Sequence, residues 1–285
     1  MGCDRNNMFK TISHECDLQV LEISLLNQGL KEAVATSDPI TVFGPTNKAL
    51  YKFLSDNQGA DVKNALLYHV VPQYLRTKDL VPNGLYQTLQ GQNVRSNVYS
   101  CPTFNNVTTI NGVPLCYKDI KASNGVLHKI DQVLVPPAGN IPKIVTDNPD
   151  FSILLAAVAK AGLVEALAGP NLTVFAPTNQ AFEDLSAGLG LSLEQILELP
   201  TLGNILLYHV LGDVVFSAAI KEGKTKGVVT LDAGETFDLK RRCDRIMIKD
   251  YQCRHSRVIG ADVLASNGVI HVIDKVLLPK NYLLQ

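Results

Sequence analysis

The 285-residue sequence lacks an excess of either charge: 26 Lys and Arg stand against 27 Asp and Glu, a net of −1. No global field therefore draws it to nucleic acid or to an anionic membrane. It also lacks any run near the roughly 18 apolar residues that cross a bilayer, so no transmembrane segment is expected in this chain. It has no C-x-x-C spacing and no Cys/His cluster of ligand type, which argues against a zinc site. G-x-S-x-G, H-E-x-x-H, P-loop and dinucleotide signatures are all missing. No residue is nominated as catalytic, metal-binding or cofactor-binding, and the chain is read as no enzyme. What remains, 46% hydrophobic and 19% charged residues, describes a globular chain long enough for two domains.

What the sequence does have is a duplication. Thr41-Val-Phe-Gly-Pro-Thr-Asn-Lys-Ala-Leu50 returns as Thr173-Val-Phe-Ala-Pro-Thr-Asn-Gln-Ala-Phe182, identical at 7 of 10 positions. Asn64-Ala-Leu-Leu-Tyr-His-Val-Val71 returns as Asn204-Ile-Leu-Leu-Tyr-His-Val-Leu211. Ala122-Ser-Asn-Gly-Val-Leu-His-Lys-Ile-Asp-Gln-Val-Leu-Val-Pro136 returns as Ala265-Ser-Asn-Gly-Val-Ile-His-Val-Ile-Asp-Lys-Val-Leu-Leu-Pro279. The blocks keep their order at offsets of 132, 140 and 143, too long a period for a solenoid repeat. A whole domain has been duplicated, and Pro136-Pro-Ala-Gly139 is the linker between the copies.

Each copy opens with a helical pattern. Leu18, Leu21, Leu25 and Leu26 recur at three- and four-residue steps, as do Phe151, Leu154, Leu155 and Val158. Asp17 and Asp150 are placed to cap these helices, and Gly29 and Gly162 to end them. A short strand follows, at 40–43 or 172–175. Pro45-Thr46 and Pro177-Thr178 then turn into a second helix. The rest of each copy reads as strands and turns. The last strand, 126–135 or 269–278, alternates and is preceded by an Asn-Gly turn. The second copy is longer around 188–200, where an extra turn and helix are expected.

Six cysteines fall as three near neighbours in sequence: Cys3 with Cys16, Cys101 with Cys116, and Cys243 with Cys253. Local disulfides and an oxidising compartment are the expectation; buried free thiols are the alternative. The sequons at Asn106 and Asn171 agree on compartment. The opening residues are polar and have no signal-peptide core.

The duplicated blocks resemble the fasciclin (FAS1) domain. Thr173 to Phe182 match its first box in full, and the first copy departs only at Gly44 and Leu50. Its second box is met at 267–279 and 124–136, and the intervening Tyr-His pair at Tyr68-His69 and Tyr208-His209. The resemblance covers 4–137 and 140–281. It implies an α+β fold, two tandem domains each built as a β-sandwich or wedge with a helical layer. It also implies a secreted or cell-surface location and a role in adhesion or matrix contact, without enzymatic activity and without a cofactor. The partner would be an integrin-like receptor, a matrix protein or a glycan. The alternative is a carrier of an apolar, carotenoid-like molecule, as in some algal members.

In animal matrix members of the family, two regions are proposed to contact integrins. The first maps to Tyr68, His69, Tyr208 and His209 with their aliphatic neighbours. The second is an Asp-Ile dipeptide before the second box, here Asp119-Ile120 and Asp262-Val263. A carboxylate beside an aliphatic side chain suits a receptor that presents a metal ion, and alanine at Asp119 or Asp262 is expected to weaken attachment without unfolding. The opposing reading makes the Tyr-His pairs core groups and the aspartates turn caps. No Arg-Gly-Asp is present. His128, His271, Asp131 and Asp274 form no evident dyad, because residues three apart on a strand face opposite ways. Lys240, Arg241, Arg242, Arg245, Lys249, Arg254 and Arg257 crowd one hairpin region of the second copy only. They are a candidate polyanion site or else a solvated strand face.

Overall fold

The computed structural model describes residues 6–99, 107–243 and 245–282. Two compact units meet in sequence between Pro136 and Pro137, inside the proline-rich linker. The first contains strands β1 (Ile40–Pro45), β2 (Val70–Val71), β3 (Gly84–Gln87), β4 (Asn93–Tyr99), β5 (Val107–Ile110), β6 (Val113–Ala122) and β7 (Gly125–Ile130). The second contains β8 (Leu172–Pro177), β9 (Val210–Leu211), β10 (Gly223–Val229), β11 (Thr236–Arg242), β12 (Arg245–Lys249), β13 (His255–Ala265) and β14 (Gly268–Ile273). Each unit orders its seven strands identically, as β2-β1-β7-β6-β5-β4-β3 and β9-β8-β14-β13-β12-β11-β10. The α+β expectation holds. In each unit the expected sandwich or wedge is built from one continuous, curled seven-stranded sheet with helices packed on it.

The two repeated boxes form the centre of that sheet. β1 runs parallel to β7 and β8 parallel to β14, while the other pairings are antiparallel. All six residues of β1, of β7 and of β8 are buried, so these strands read as continuous apolar runs, as doubly covered parallel strands do. This corrects the alternation expected for 126–135: β7 ends at Ile130, and its inner positions have no solvent face. Leu18, Leu21, Leu25, Leu66 and Leu127 pack together with Val42 in the first unit. Leu154, Val158, Leu167, Leu206 and Ile270 do so with Val174 in the second.

Helices Gln19–Asn27 and Ser152–Lys160 lie where the leucine spacing placed them, and Gly29 and Gly162 follow with φ of 67° in each case. Their caps are different from those expected. Asp17 accepts the Lys129 ammonium at 2.7 Å instead of capping. The free amide of Val20 goes to Asn47 Oδ1 at 2.9 Å, and that of Ile153 to Asn179 Oδ1 at 3.0 Å. The asparagine of the first box therefore caps a helix 27 residues upstream. Among the short helices not expected are Met8–Ser13 and Ile141–Asp147, capped by Asn7 and Asn140. They are too short for a periodic signal. The extra helix of the second copy is Leu193–Leu197, opened by a Ser192/Gln195 capping box.

The Asn-Gly of the second box is also structural. Asn124 Oδ1 accepts from Met8 N at 2.7 Å, and Nδ2 donates to Val34 O and Ser37 O. Asn267 repeats this with Ile141 N, Leu167 O and Gly169 O. A Cβ on Gly125 would lie 1.9 Å from the Ile40 carbonyl oxygen, and one on Gly268 2.0 Å from that of Leu172. Glycine is required there for close backbone approach.

Candidate functional site

The Tyr-His pairs nominated as contact residues are interior. Tyr68 and Tyr208 are fully buried, and His69 and His209 are exposed by only 1% and 3%. Leu134 N donates to His69 Nε2 at 2.9 Å, so the ring proton sits on Nδ1, which donates to Ala65 O at 2.7 Å. Leu277 N and Ile205 O hold His209 in the same way. Burial lowers both imidazoles to about 4, against the weaker opposing pull of the carbonyl each ring bonds. The tyrosine hydroxyls donate at 2.8 Å to Asn93 O and Thr236 O, at the starts of β4 and β11. No receptor reaches these four side chains while the fold stands, which corrects their assignment as surface contacts.

The aspartates occupy a built bulge. Asp119 and Asp262 both have φ of 60°, and the ladder shifts register around them, between Tyr117 and Ile120 and between Gly260 and Val263. Asp119 Oδ1 accepts from Thr77 N at 2.8 Å, and Asp262 Oδ1 from Ser217 N at 2.7 Å. Each thereby caps the 3-10 turn that begins at that residue, Thr77–Asp79 or Ser217–Ala219. The aspartate amides donate at 3.2 Å to His128 Nδ1 and His271 Nδ1. Those rings carry their proton on Nε2 and donate it to Leu75 O and Val215 O. Burial lowers both, against the carbonyl bond and the aspartate charge. A proton on Nδ1 would face a backbone N–H.

The copies differ at one atom of this device. Ser217 Oγ donates to Asp262 Oδ2, so both oxygens of Asp262 are engaged, whereas the Thr77 hydroxyl is buried without a partner. Alanine at either aspartate would untie a turn, so a substitution expected to weaken attachment without unfolding also carries a cost in stability. Around the bulges the surface is open: Tyr117 is 61% exposed, Ile259 57% and Val263 38%. Ile120 is half-buried against the helical core.

The seven cations nominated in the second unit divide into two groups. Arg254 grips Asp250 through Nε and Nη2 at 3.0 and 2.9 Å and also donates to Val276 O. Arg241 donates to Ser217 O and Cys243 O, and Arg257 binds Asp274 at 2.8 Å. Lys240, Arg242, Arg245 and Lys249 form no ion pair among the described residues. They share the outer face of the sheet, since Leu239, Ile246 and Ile248 take the alternate, buried positions.

Cys243 and Cys253 are exposed free thiols. Five-residue β12 lies between them, which separates them by about 15 Å at 3.4 Å per residue. A disulfide needs Cα atoms within about 7 Å, so this pairing is overturned. Cys16 and Cys116 are exposed; their expected partners Cys3 and Cys101 lie outside the described residues, as does Asn106. Asn171 is exposed with φ of 58°. An apolar cavity lined by Val145, Leu154, Val174 and Leu206 holds about 20 Å³. Ligand pockets run to roughly 300–1,000 Å³, so this interior gives the carrier alternative no support. No cluster of three or more His, Cys, Asp or Glu fit for a metal occurs among the described residues. No helix among them is long and apolar enough to cross a membrane.

The Fasciclin domain model matches residues 18–136 and again 149–279. Transforming growth factor-beta-induced protein ig-h3 of Oryctolagus cuniculus is 33% identical over 84% of this chain and 34% of its own length. Periostin of Homo sapiens is 31% identical over 88% and 29%. The chain thus spans about a third of these relatives. A solved FAS1 domain pair from the insect cell adhesion molecule Fasciclin I covers 94% of this chain and 99% of its own, at 18% identity and a TM-score of 0.48.

Proposed function

We propose, from the premise that this chain belongs to the Fasciclin domain family, that its two domains form a non-enzymatic adhesion module working outside the cell. Each domain presents surface to a receptor, a matrix protein or a glycan. The observation that carries this reading is where the repeated polar residues point. Asn47, Tyr68, His69, Asn124 and His128 and their counterparts are all consumed in holding the fold. None converges on a shared cleft as an acid, base or nucleophile would, and catalysis requires such convergence. Function is left to the exposed surface, as in a binding module.

Within that surface, the bulge at 117–120 is the receptor contact this reading favours. It offers exposed Tyr117, half-buried Ile120 and the Asp119 carboxylate, of which only Oδ1 takes part in a hydrogen bond among the described residues. The second bulge offers Val263, with Asp262 fully engaged. Exposed Asn171 is the glycan-bearing position.

Attachment of cells to the immobilised chain tests the reading. Tyr117→Ser with Ile120→Ser should cut attachment severalfold, with the far-ultraviolet spectrum and melting of the second domain unchanged. No attachment by the unaltered chain above an albumin-coated surface would end the adhesion reading. Full attachment by the double variant would remove the 117–120 contact alone.

A further inference from the structure

The outer face of the sheet in the second domain is a ladder of cations that the fold does not require. Lys224 on β10 stands opposite Lys240 on β11, Lys240 opposite Met247 on β12, and Met247 opposite Arg257 on β13. In the next row Arg242 stands opposite Arg245. Beyond the first row, Asp238 stands opposite Lys249. Strands lie about 4.8 Å apart and residues i and i+2 about 7 Å apart, so six cations share a patch on the order of 15 Å on a side. Among the described residues, the carboxylates beside it are already engaged: Asp238 binds Lys224 at 2.8 Å and Asp274 binds Arg257 at 2.8 Å.

Like charges placed directly opposite across a ladder destabilise a sheet. Lys224 with Lys240 and Arg242 with Arg245 are both such pairs. The first domain supplies an internal control, because it builds the same sheet without them. Its corresponding strands β4 and β5 carry a single cation, Arg95, and it is buried. The repulsion in the second domain is an addition to the fold, and a polyanion lying across the face would turn each repulsive pair into a shared binding site.

We propose that this face binds a sulfated linear polysaccharide, through Lys240, Arg242, Arg245 and Lys249 with Lys224 and Arg257 at the edges. The proposal rests on the extracellular adhesion reading above and supplies it with a glycan partner. The chemistry favours a sulfated chain over a nucleic acid. Single-stranded nucleic acid is held by base stacking on aromatic side chains, and the outward positions of β11 and β12 carry Lys, Arg, Asp, Thr and Met with no Phe, Tyr or Trp. The face is a surface of strands, without a helix or protruding ribbon to enter a duplex groove. Anions spaced along both edges of an extended chain match cations spread across four strands, and binding of that kind weakens as salt screens it.

The test uses immobilised heparin as the probe, at 150 mM NaCl, with the full chain. The unaltered protein should be retained, and the triple variant Lys240→Gln, Arg242→Gln, Arg245→Gln should bind at least tenfold more weakly. A control triple at exposed positions of the first domain, Lys48→Gln, Lys52→Gln, Lys63→Gln, should bind as the unaltered chain does. Melting of the first triple should be unchanged or higher, since repulsion has been removed. Desulfated heparin should fail to bind. Four outcomes would overturn the proposal: no retention of the unaltered chain, equal losses in the two triples, equal binding of desulfated heparin, or tighter binding to single-stranded DNA or phosphatidylserine vesicles than to heparin. Cell attachment is scored separately. Heparin binding without attachment refutes the adhesion reading alone, and attachment without heparin binding refutes the glycan site alone.

Discussion

Lowering the pH from 7 to 5 should weaken both domains by an amount set by their buried histidines. His69 and His209 drop from 6.5 in the unfolded chain to about 4 in the fold. Between those values the unfolded state takes up a proton and the native state does not. Stability is therefore fully present above pH 6.5 and is lost as pH falls toward 4. One unit is worth about 1.36 kcal/mol, so each imidazole should remove roughly 2 kcal/mol by pH 5 and roughly 3 kcal/mol below pH 4. His128 and His271 shift in the same direction and add to the loss. Against the roughly 5–15 kcal/mol that holds an ordinary domain, this is a large fraction. Urea titrations read by far-ultraviolet circular dichroism would measure it, since the chain has no Trp to report by fluorescence. With a slope near 2 kcal/mol per molar, the midpoint should fall by about 1 M or more between pH 7 and 5. His209→Gln should be weaker at pH 7 but should flatten the dependence of the second domain by about 1.4 kcal/mol per pH unit. A midpoint that stays level from pH 7 to 5 would refute the assignment of these rings as neutral staples.

Three further outcomes can be checked by standard means. Asp262→Ala should lose the amide and hydroxyl of Ser217 together and cost about 2 kcal/mol, against about 1 kcal/mol for Asp119→Ala, which loses one bond; domain-resolved calorimetry would rank them, and the reverse order would contradict the extra serine contact. Gly268→Ala should prevent the second domain from folding, because its methyl would press on the Leu172 oxygen, and a cooperative melt within a few degrees of the parent would contradict the close approach. Cys243 and Cys253 should both react with a thiol reagent in the native protein, and a peptide map showing them joined would overturn the placement of β12 between them.

The fold was largely legible because its signals are local. Box spacing marked the central strands, leucine steps marked the helices of 19–27 and 152–160, and glycines 29 and 162 marked their ends. What stayed hidden depends on partners far away in sequence. Asp17 and Asp150 sit where a cap belongs, yet Asn47 and Asn179 fill that position from across the fold, and nothing in the local string distinguishes the two. Asp119 and Asp262 resembled exposed recognition residues because a left-handed backbone at a bulge has no residue signature when the residue is not glycine. The spacing of Cys243 and Cys253 suggested a small loop, but the nine residues between them include an extended strand. The cationic face was visible as composition. Its division into gripped arginines and open ones required the pleat of β11 and β12.

The inward orientation of the repeated polar groups has a consequence for the duplication itself. A domain whose shared residues all serve its interior leaves its exterior free to change without loss of folding. Two copies on one chain can therefore diverge outside while remaining the same protein inside. The basic ladder present in one and missing from the other is such a divergence, so the pair is better described as two separately addressable ligands on one string than as one binding site made twice.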